Sequence, residues 1–105
     1  MGQFYAYKNA SPATRTQYPY LLEIQSDLLS ELRTTVVIPL SPTNKVASIS
    51  LSRLNPVLDL DGESFTAMTQ DMAGMDRSQL GSQAYDLSSC RSDIIAAVDF
   101  LISGI

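Results

Sequence analysis

The residues predict a mainly β fold: a small barrel or strongly curved antiparallel sheet, plugged by one C-terminal helix. Three observations lead there. Short apolar stretches, alternating or β-branched, recur between turn-forming residues. Asp61-Gly62 stands between two of them, and a tight hairpin turn needs positive φ at both central residues, which Asp-Gly tolerates. From Leu87 onward the apolar residues recur at steps of three and four, the period of a helix.

The elements follow in chain order. Phe4-Tyr5-Ala6-Tyr7 is short and aromatic and reads as a strand. Asn9 to Gln17 is rich in Ser, Thr, Ala and Pro and reads as a loop. Tyr20, Leu22 and Ile24 alternate with Leu21, Glu23 and Gln25, a second strand with one wetter face. Thr34 to Leu40 is apolar on both sides and β-branched, a buried strand. Pro39 has no N–H for a ladder, so that strand is expected to end or bulge there. Pro42 to Lys45 is a turn, and Ala47, Ile49 and Leu51 between serines predict one strand of an excursion hairpin. Val57 to Leu60 and Glu63 to Gln70 are the arms of the Asp-Gly hairpin. Met72 to Tyr85 reads as irregular, with one short strand near Gln79 and Leu80.

The terminal helix carries Leu87, Cys90, Ile94, Val98, Leu101 and Ile105 on one face, expected to pack on the sheet. Ser88 or Ser89 can supply its N-cap, Asp93 lies near the positive end of the dipole, and Gly104 suits a left-handed C-cap. Ser92, Ala96, Asp99 and Ser103 line the other face beside Phe100, a small, polar ridge suited to docking.

A chain of 105 residues, 45% hydrophobic and 17% charged, reads as a single domain over 1–105 with one modest core. No apolar run approaches the ~20 residues of a membrane span, and Met1-Gly2-Gln3-Phe4 has no basic or apolar leader region. The lone Cys90 is expected to be a buried small hydrophobe in a reducing cytoplasm. The net charge of −4 is uneven: residues 1–56 carry five basic and three acidic side chains, residues 57–105 two basic and eight acidic. The acidic half argues against direct nucleic-acid binding and suits a partner with a basic surface, as it also suits mere solubility.

Little in the chain points to chemistry of its own. It has no histidine, which removes His-activated nucleophiles and the commonest metal ligand. One cysteine cannot build a zinc site. No phosphate-cradling glycine motif is present. Asp59, Asp61 and Glu63 are close in sequence but fit the hairpin turn better than a calcium loop. Asp71 and Asp76 could share a proton only if the fold brings them together. No cofactor and no metal are expected, and the chain reads as a binder rather than an enzyme.

Four stretches taken in order resemble the CcdB toxin family: Gln3-Phe4, Gln25-Ser26-Asp27-Leu28-Leu29, Val37-Ile38-Pro39-Leu40, and Met68-Thr69-Gln70-Asp71-Met72-Ala73, closed by Asp93-Ile94 and Gly104-Ile105. The resemblance covers nearly the whole chain. It implies an SH3-like barrel of the CcdB, Kid and MazF type, with an excursion hairpin and a C-terminal α-helix, and a two-fold homodimer. It implies a type II toxin that binds the GyrA subunit of DNA gyrase and traps the enzyme on cleaved DNA. A CcdA antitoxin would neutralise it and would carry the contacts to operator DNA. The positions matching the family's gyrase-facing surface are Leu28 and Leu29, with Asp99, Ile102, Ser103, Gly104 and Ile105 at the tail. A well-known version of the family's pattern has an aromatic pair before the terminal Gly-Ile, and Ile102-Ser103 replaces it here. Two other readings stay open: an mRNA endoribonuclease of the MazF and Kid type on the same fold, and a homologue that binds antitoxin but has lost toxicity.

Overall fold

Asp61 and Gly62 hold φ values of 56° and 91°, the left-handed pair that the expected hairpin turn requires. They join β4 (Val57–Leu60) to β5 (Glu63–Ala67), and Asp59 Oδ1 accepts the Gly62 N–H at 3.0 Å. The computed structural model describes residues 2–46 and 52–104. Among them the hairpin is one end of a single antiparallel sheet with β1 (Tyr5–Asn9), β2 (Tyr20–Glu23), β3 (Thr34–Pro42), β6 (Ala73–Asp76) and β7 (Leu80–Asp86). The order is β4-β5-β3-β2-β1-β7, with β6 paired to the first half of β3 and β5 to its last residues. The sheet curls into a half-barrel. Tyr20 of β2 therefore touches both Phe65 of β5 and Tyr85 of β7, each ring pair edge-on at 5.4 Å. Leu22, Ile38, Leu40, Leu58 and Leu60 fill the curl, and Ile94 of α1 (Arg91–Ser103) plugs it. The strand expected over Ala47, Ile49 and Leu51 lies outside the described residues, as does Ile105.

Pro39 neither ends nor bulges β3, which runs on to Pro42. Ile24 N donates to Val36 O at 3.0 Å, so the pairs 24/36, 22/38 and 20/40 carry the β2–β3 hydrogen bonds, and Pro39 turns its nitrogen the other way. On that other side β3 is changing partner from β6 to β5, and no ladder acceptor is lost. The Pro39 carbonyl still accepts from Met68 N at 2.9 Å. The second strand departs from its expected wet face: Leu21 and Glu23 are both buried.

Phe4 is not in the first strand but at its threshold, with φ of 67°. Its N–H donates to Glu23 O at 2.7 Å and its carbonyl accepts from Leu87 N at 2.8 Å. It therefore links β2 to the start of the helical segment. Those two bonds and a ring only 3% exposed offset the steric cost of a left-handed residue, about 1–2 kcal/mol.

The segment 72–85, expected to be irregular, holds two strands. Ala73–Asp76 pairs with Thr34–Val37, and Leu80–Asp86 pairs with β1 through two register shifts. Neither shows a hydrophobic alternation, because both lie largely at the surface. Gly81 marks the close approach: a Cβ there would lie 2.6 Å from Lys8 O.

The helix is rotated from its expected register. Ile94 and Ala97 are its buried residues, Ile95 and Val98 pack beside them, and Leu101 is 40% exposed. Leu87 is buried and Cys90 half-buried, but both precede α1, on or beside the 3₁₀ turn Ser88–Cys90. That turn breaks the period of the stripe. Neither serine caps α1. Cys90 occupies the N-cap without a side-chain bond, and Asp86 Oδ1 accepts from Ser88 N at 2.9 Å instead. Hydrogen bonds from the Ser88 side chain and backbone hold the Asp86 carboxyl below the usual aspartate range. Gly104 is the left-handed C-cap, with φ of 72° and its N–H donating to Phe100 O at 2.8 Å.

Candidate protein-binding surface

Leu28 and Leu29 sit on a 3₁₀ turn, Asp27–Leu29, that has no buried residue. Hydrogen bonds rather than burial hold it. Ser26 Oγ caps the turn by accepting from Leu28 N at 3.2 Å, and Asp27 Oδ1 accepts from Gln3 N at 2.9 Å. Leu28 is 93% exposed, Leu29 46% and Leu32 50%. An apolar group of this size in water forgoes burial it could have had in a core, so its exposure calls for a partner surface.

The second set of expected residues lies on the last turn of α1. Asp99, Ser103 and Gly104 are exposed, and Ile102 is 78% exposed. Ser103 Oγ donates back to Asp99 O at 2.7 Å. Phe100, on the flank, lies under the Arg53 guanidinium at 4.8 Å, a cation–π contact. Thus Leu28 and Leu29 stand together on one turn, and Asp99, Ile102, Ser103 and Gly104 together on another. The two sets hang from different anchors, Gln3 for the first and the Arg53 stack for the second. Among the described residues, three of the six exposed large hydrophobics are the expected Leu28, Leu29 and Ile102; Leu32 and Leu101 lie close to them in sequence, and Val57 stands apart. Apolar exposure is thereby concentrated where the residues are expected to meet a partner.

Three features of this surface and its support escape the sequence. Leu32 is an isolated leucine between Glu31 and Arg33, with no pattern to mark it. Leu101, expected on the core stripe, is on the surface beside Ile102. The third is a buried ion pair: Arg77 Nη1 donates to Glu23 Oε2 at 2.7 Å, with side chains 15% and 3% exposed. Glu23 is expected on a wet strand face. The same Oε2 accepts from Thr35 Oγ1 at 2.7 Å, and Arg77 Nε donates to Leu32 O at 2.7 Å. A strand of alternating sequence ending in Glu gives no sign that an arginine far along the chain will cover it.

The carboxylates weighed for chemistry have other partners. Asp71 Oδ2 accepts from the Tyr18 hydroxyl at 3.1 Å. Asp76 Oδ1 accepts from Ser78 N at 2.9 Å, and its Oδ2 meets Arg33 Nε at 3.4 Å. The Ser78 bonds, with Arg33, hold the Asp76 carboxyl below the usual range, the opposite of what a shared proton requires. Among the described residues no three His, Cys, Asp or Glu side chains converge as metal ligands.

A family model described as CcdB protein matches residues 3–104. The chain belongs to the CcdB family. Its fold is also that of more distant toxins. A mycobacterial endoribonuclease in complex with its cognate antitoxin superposes with a TM-score of 0.74 at 9% identity, covering 95% of this chain and 92% of that one. A toxin described as Mtb toxin gives a TM-score of 0.65 at 15% identity, covering 89% and 94%. The Mycobacterium tuberculosis toxin MazF-mt6 gives 0.64 at 17% identity, covering 79% and 84%. At such identities the likeness speaks for the fold and not for the activity. In this CcdB-family chain Ser103 spends its hydroxyl on its own helix.

Proposed function

We propose that this CcdB-family chain is the toxin of a toxin–antitoxin module, that it acts as a homodimer, and that it binds the GyrA subunit of DNA gyrase and traps the enzyme on cleaved DNA. The observation that carries the reading is the concentration of exposed apolar side chains on the two turns that match the family's gyrase-facing positions. Leu28 and Leu29 present one part, and Asp99, Ile102, Ser103 and Gly104 the other, with Ile105 completing the tail. Such groups act by contact and not by chemistry. The acidic half of the chain suits a basic antitoxin segment, a CcdA antitoxin by family, and any operator contact comes through that antitoxin.

The test is a gyrase cleavage assay with purified protein and supercoiled DNA. Linear DNA trapped after denaturation of the enzyme supports the reading. Absence of trapped DNA at saturating protein rejects it. A matched incubation with RNA tests the endoribonuclease activity that the first structural neighbour carries, and cleavage there would replace the gyrase reading.

A further inference from the structure

The apolar turn at 27–32 has no core of its own, yet it holds three leucines in water in a fixed arrangement. Its internal bonds are short-range: Leu29 N to Ser26 O, Ser30 N to Asp27 O and Leu32 N to Leu29 O, at 2.9 to 3.1 Å. Two long-range ties reach it: Gln3 N donates to Asp27 Oδ1 at 2.9 Å at its start, and Arg77 holds its later carbonyls. Arg77 Nε donates to Leu32 O at 2.7 Å and Nη2 to Leu29 O at 3.4 Å, while Arg77 N donates to Arg33 O at 2.9 Å. The other edge of the guanidinium is held by Glu23 Oε2. Glu23 is 2% exposed and is itself fixed by Thr35 Oγ1, and its second oxygen, Oε1, has no hydrogen-bond partner.

Burying this pair carries a desolvation penalty on each ion. A buried pair of this kind is weak evidence for stability by itself. Its geometry does something else. A planar fork can grip a carboxylate on one edge and backbone carbonyls on the other. It ties the rigid β2–β3 ladder to a turn that burial does not hold.

We propose that Arg77, gripped by Glu23, is the positioning residue for the partner-binding turn, and that Leu32 belongs to the contact surface with Leu28 and Leu29. The inference rests on the gyrase reading for the identity of the partner. Ordering the turn before contact removes part of the entropy that binding would otherwise cost. Arg77 touches no partner atom in this scheme and acts through the Leu29 and Leu32 carbonyls.

The experiment uses the double variant E23Q/R77M, which removes both charges together and leaves no lone buried ion. Two quantities are read: hydrogen exchange at the Leu29, Ser30 and Leu32 amides against the β2–β3 amides, and affinity for the purified GyrA subunit. The turn amides should exchange about tenfold faster while sheet amides hold, and affinity should fall about tenfold. Turn amides that keep their protection overturn the proposal, as does unchanged affinity with a loosened turn. If E23Q/R77M fails to fold, R77K decides, since it keeps a cation beside Glu23 but loses the fork. The R77K turn should loosen too, and a turn as protected as the parent's overturns the proposal. A parent protein that does not bind gyrase rejects the partner, and the exchange data then decide the role of Arg77 by themselves.

Discussion

Replacing Ile102 by Ala separates a contact residue from a core residue. Ile102 is 78% exposed, so only about a fifth of its surface is sheltered by the fold. Fully burying such a side chain is worth about 1.5–3 kcal/mol, and the sheltered share therefore accounts for only about 0.3–0.6 kcal/mol. Ile94, eight residues earlier on the same helix, is 1% exposed and sits in the core cluster. Its replacement by Ala should cost about 2–5 kcal/mol. The two variants should thus differ strongly in urea unfolding while sharing one chemistry of change. In the gyrase cleavage assay the order reverses in meaning. I102A, still folded, should need about 30-fold more protein for the same trapped DNA if Ile102 is a hot spot worth about 2 kcal/mol. A folded I102A that poisons as well as the parent would show that the end of α1 is not the effector. An I102A as unstable as I94A would show instead that the helix end is packed.

Other outcomes follow from particular contacts. Gly81→Ala should lower stability by about 1–3 kcal/mol in thermal denaturation, because its Cβ would press on Lys8 O at 2.6 Å; an unchanged midpoint would mean that β7 slides away from β1 freely. Asp76 and Asp86 are more acidic folded than their ordinary value of 3.8. Protons therefore prefer the unfolded chain, and the stability these groups add is present above about pH 4 and lost as pH falls through their depressed values; D76N/D86N should flatten that acid limb in urea titrations run at successive pH, and an identical limb would discount them. Light scattering at micromolar concentration should give twice the 11.5 kDa of one chain, since small barrels commonly add buried area by two-fold pairing; a monomer mass would remove the dimer. Antitoxin binding should weaken with added salt if the acidic half steers it, and a flat salt dependence would remove the charge from the recognition.

The parts of the fold legible in sequence are those whose signal is local. Asp61-Gly62 specifies its turn through backbone sterics that need no tertiary context, and Gly104 does the same for the helix end. The second strand announces itself by its alternation, and the third because both its faces are apolar or β-branched. β6 and β7 are hidden for the converse reason: Ala73-Gly74 and Gly81-Ser82-Gln83 bury little, so their pairing with β3 and β1 is a property of the sheet and not of the segment. The helix register is misread because a 3₁₀ turn intervenes between Leu87 and Ile94, and periodicity cannot see a change of helix type. In the candidate surface, resemblance locates Leu28, Leu29 and Ile102, and the structure adds their exposure. Glu23 and Arg77 are illegible because a buried ion pair between distant positions leaves no mark in either neighbourhood.

The two turns cannot carry equal weight. By the resemblance, a well-known version of the pattern has an aromatic pair before the terminal Gly-Ile, and aromatic rings supply much of the energy at interface centres. Here Ile102 offers one branched aliphatic side chain and Ser103 bonds back to Asp99 O, which leaves the end of α1 with less apolar surface. The turn at 27–32 offers three exposed leucines, held from below by Arg77. A leucine surface gains by area alone, without the directional ring contacts of an aromatic pair, and ordering its backbone before contact lowers the entropy that binding costs. Loss of aromatic energy at the helix end thus raises the demand for order at the turn. An arginine strut gripped by a buried glutamate meets that demand at a position where hydrophobic burial cannot.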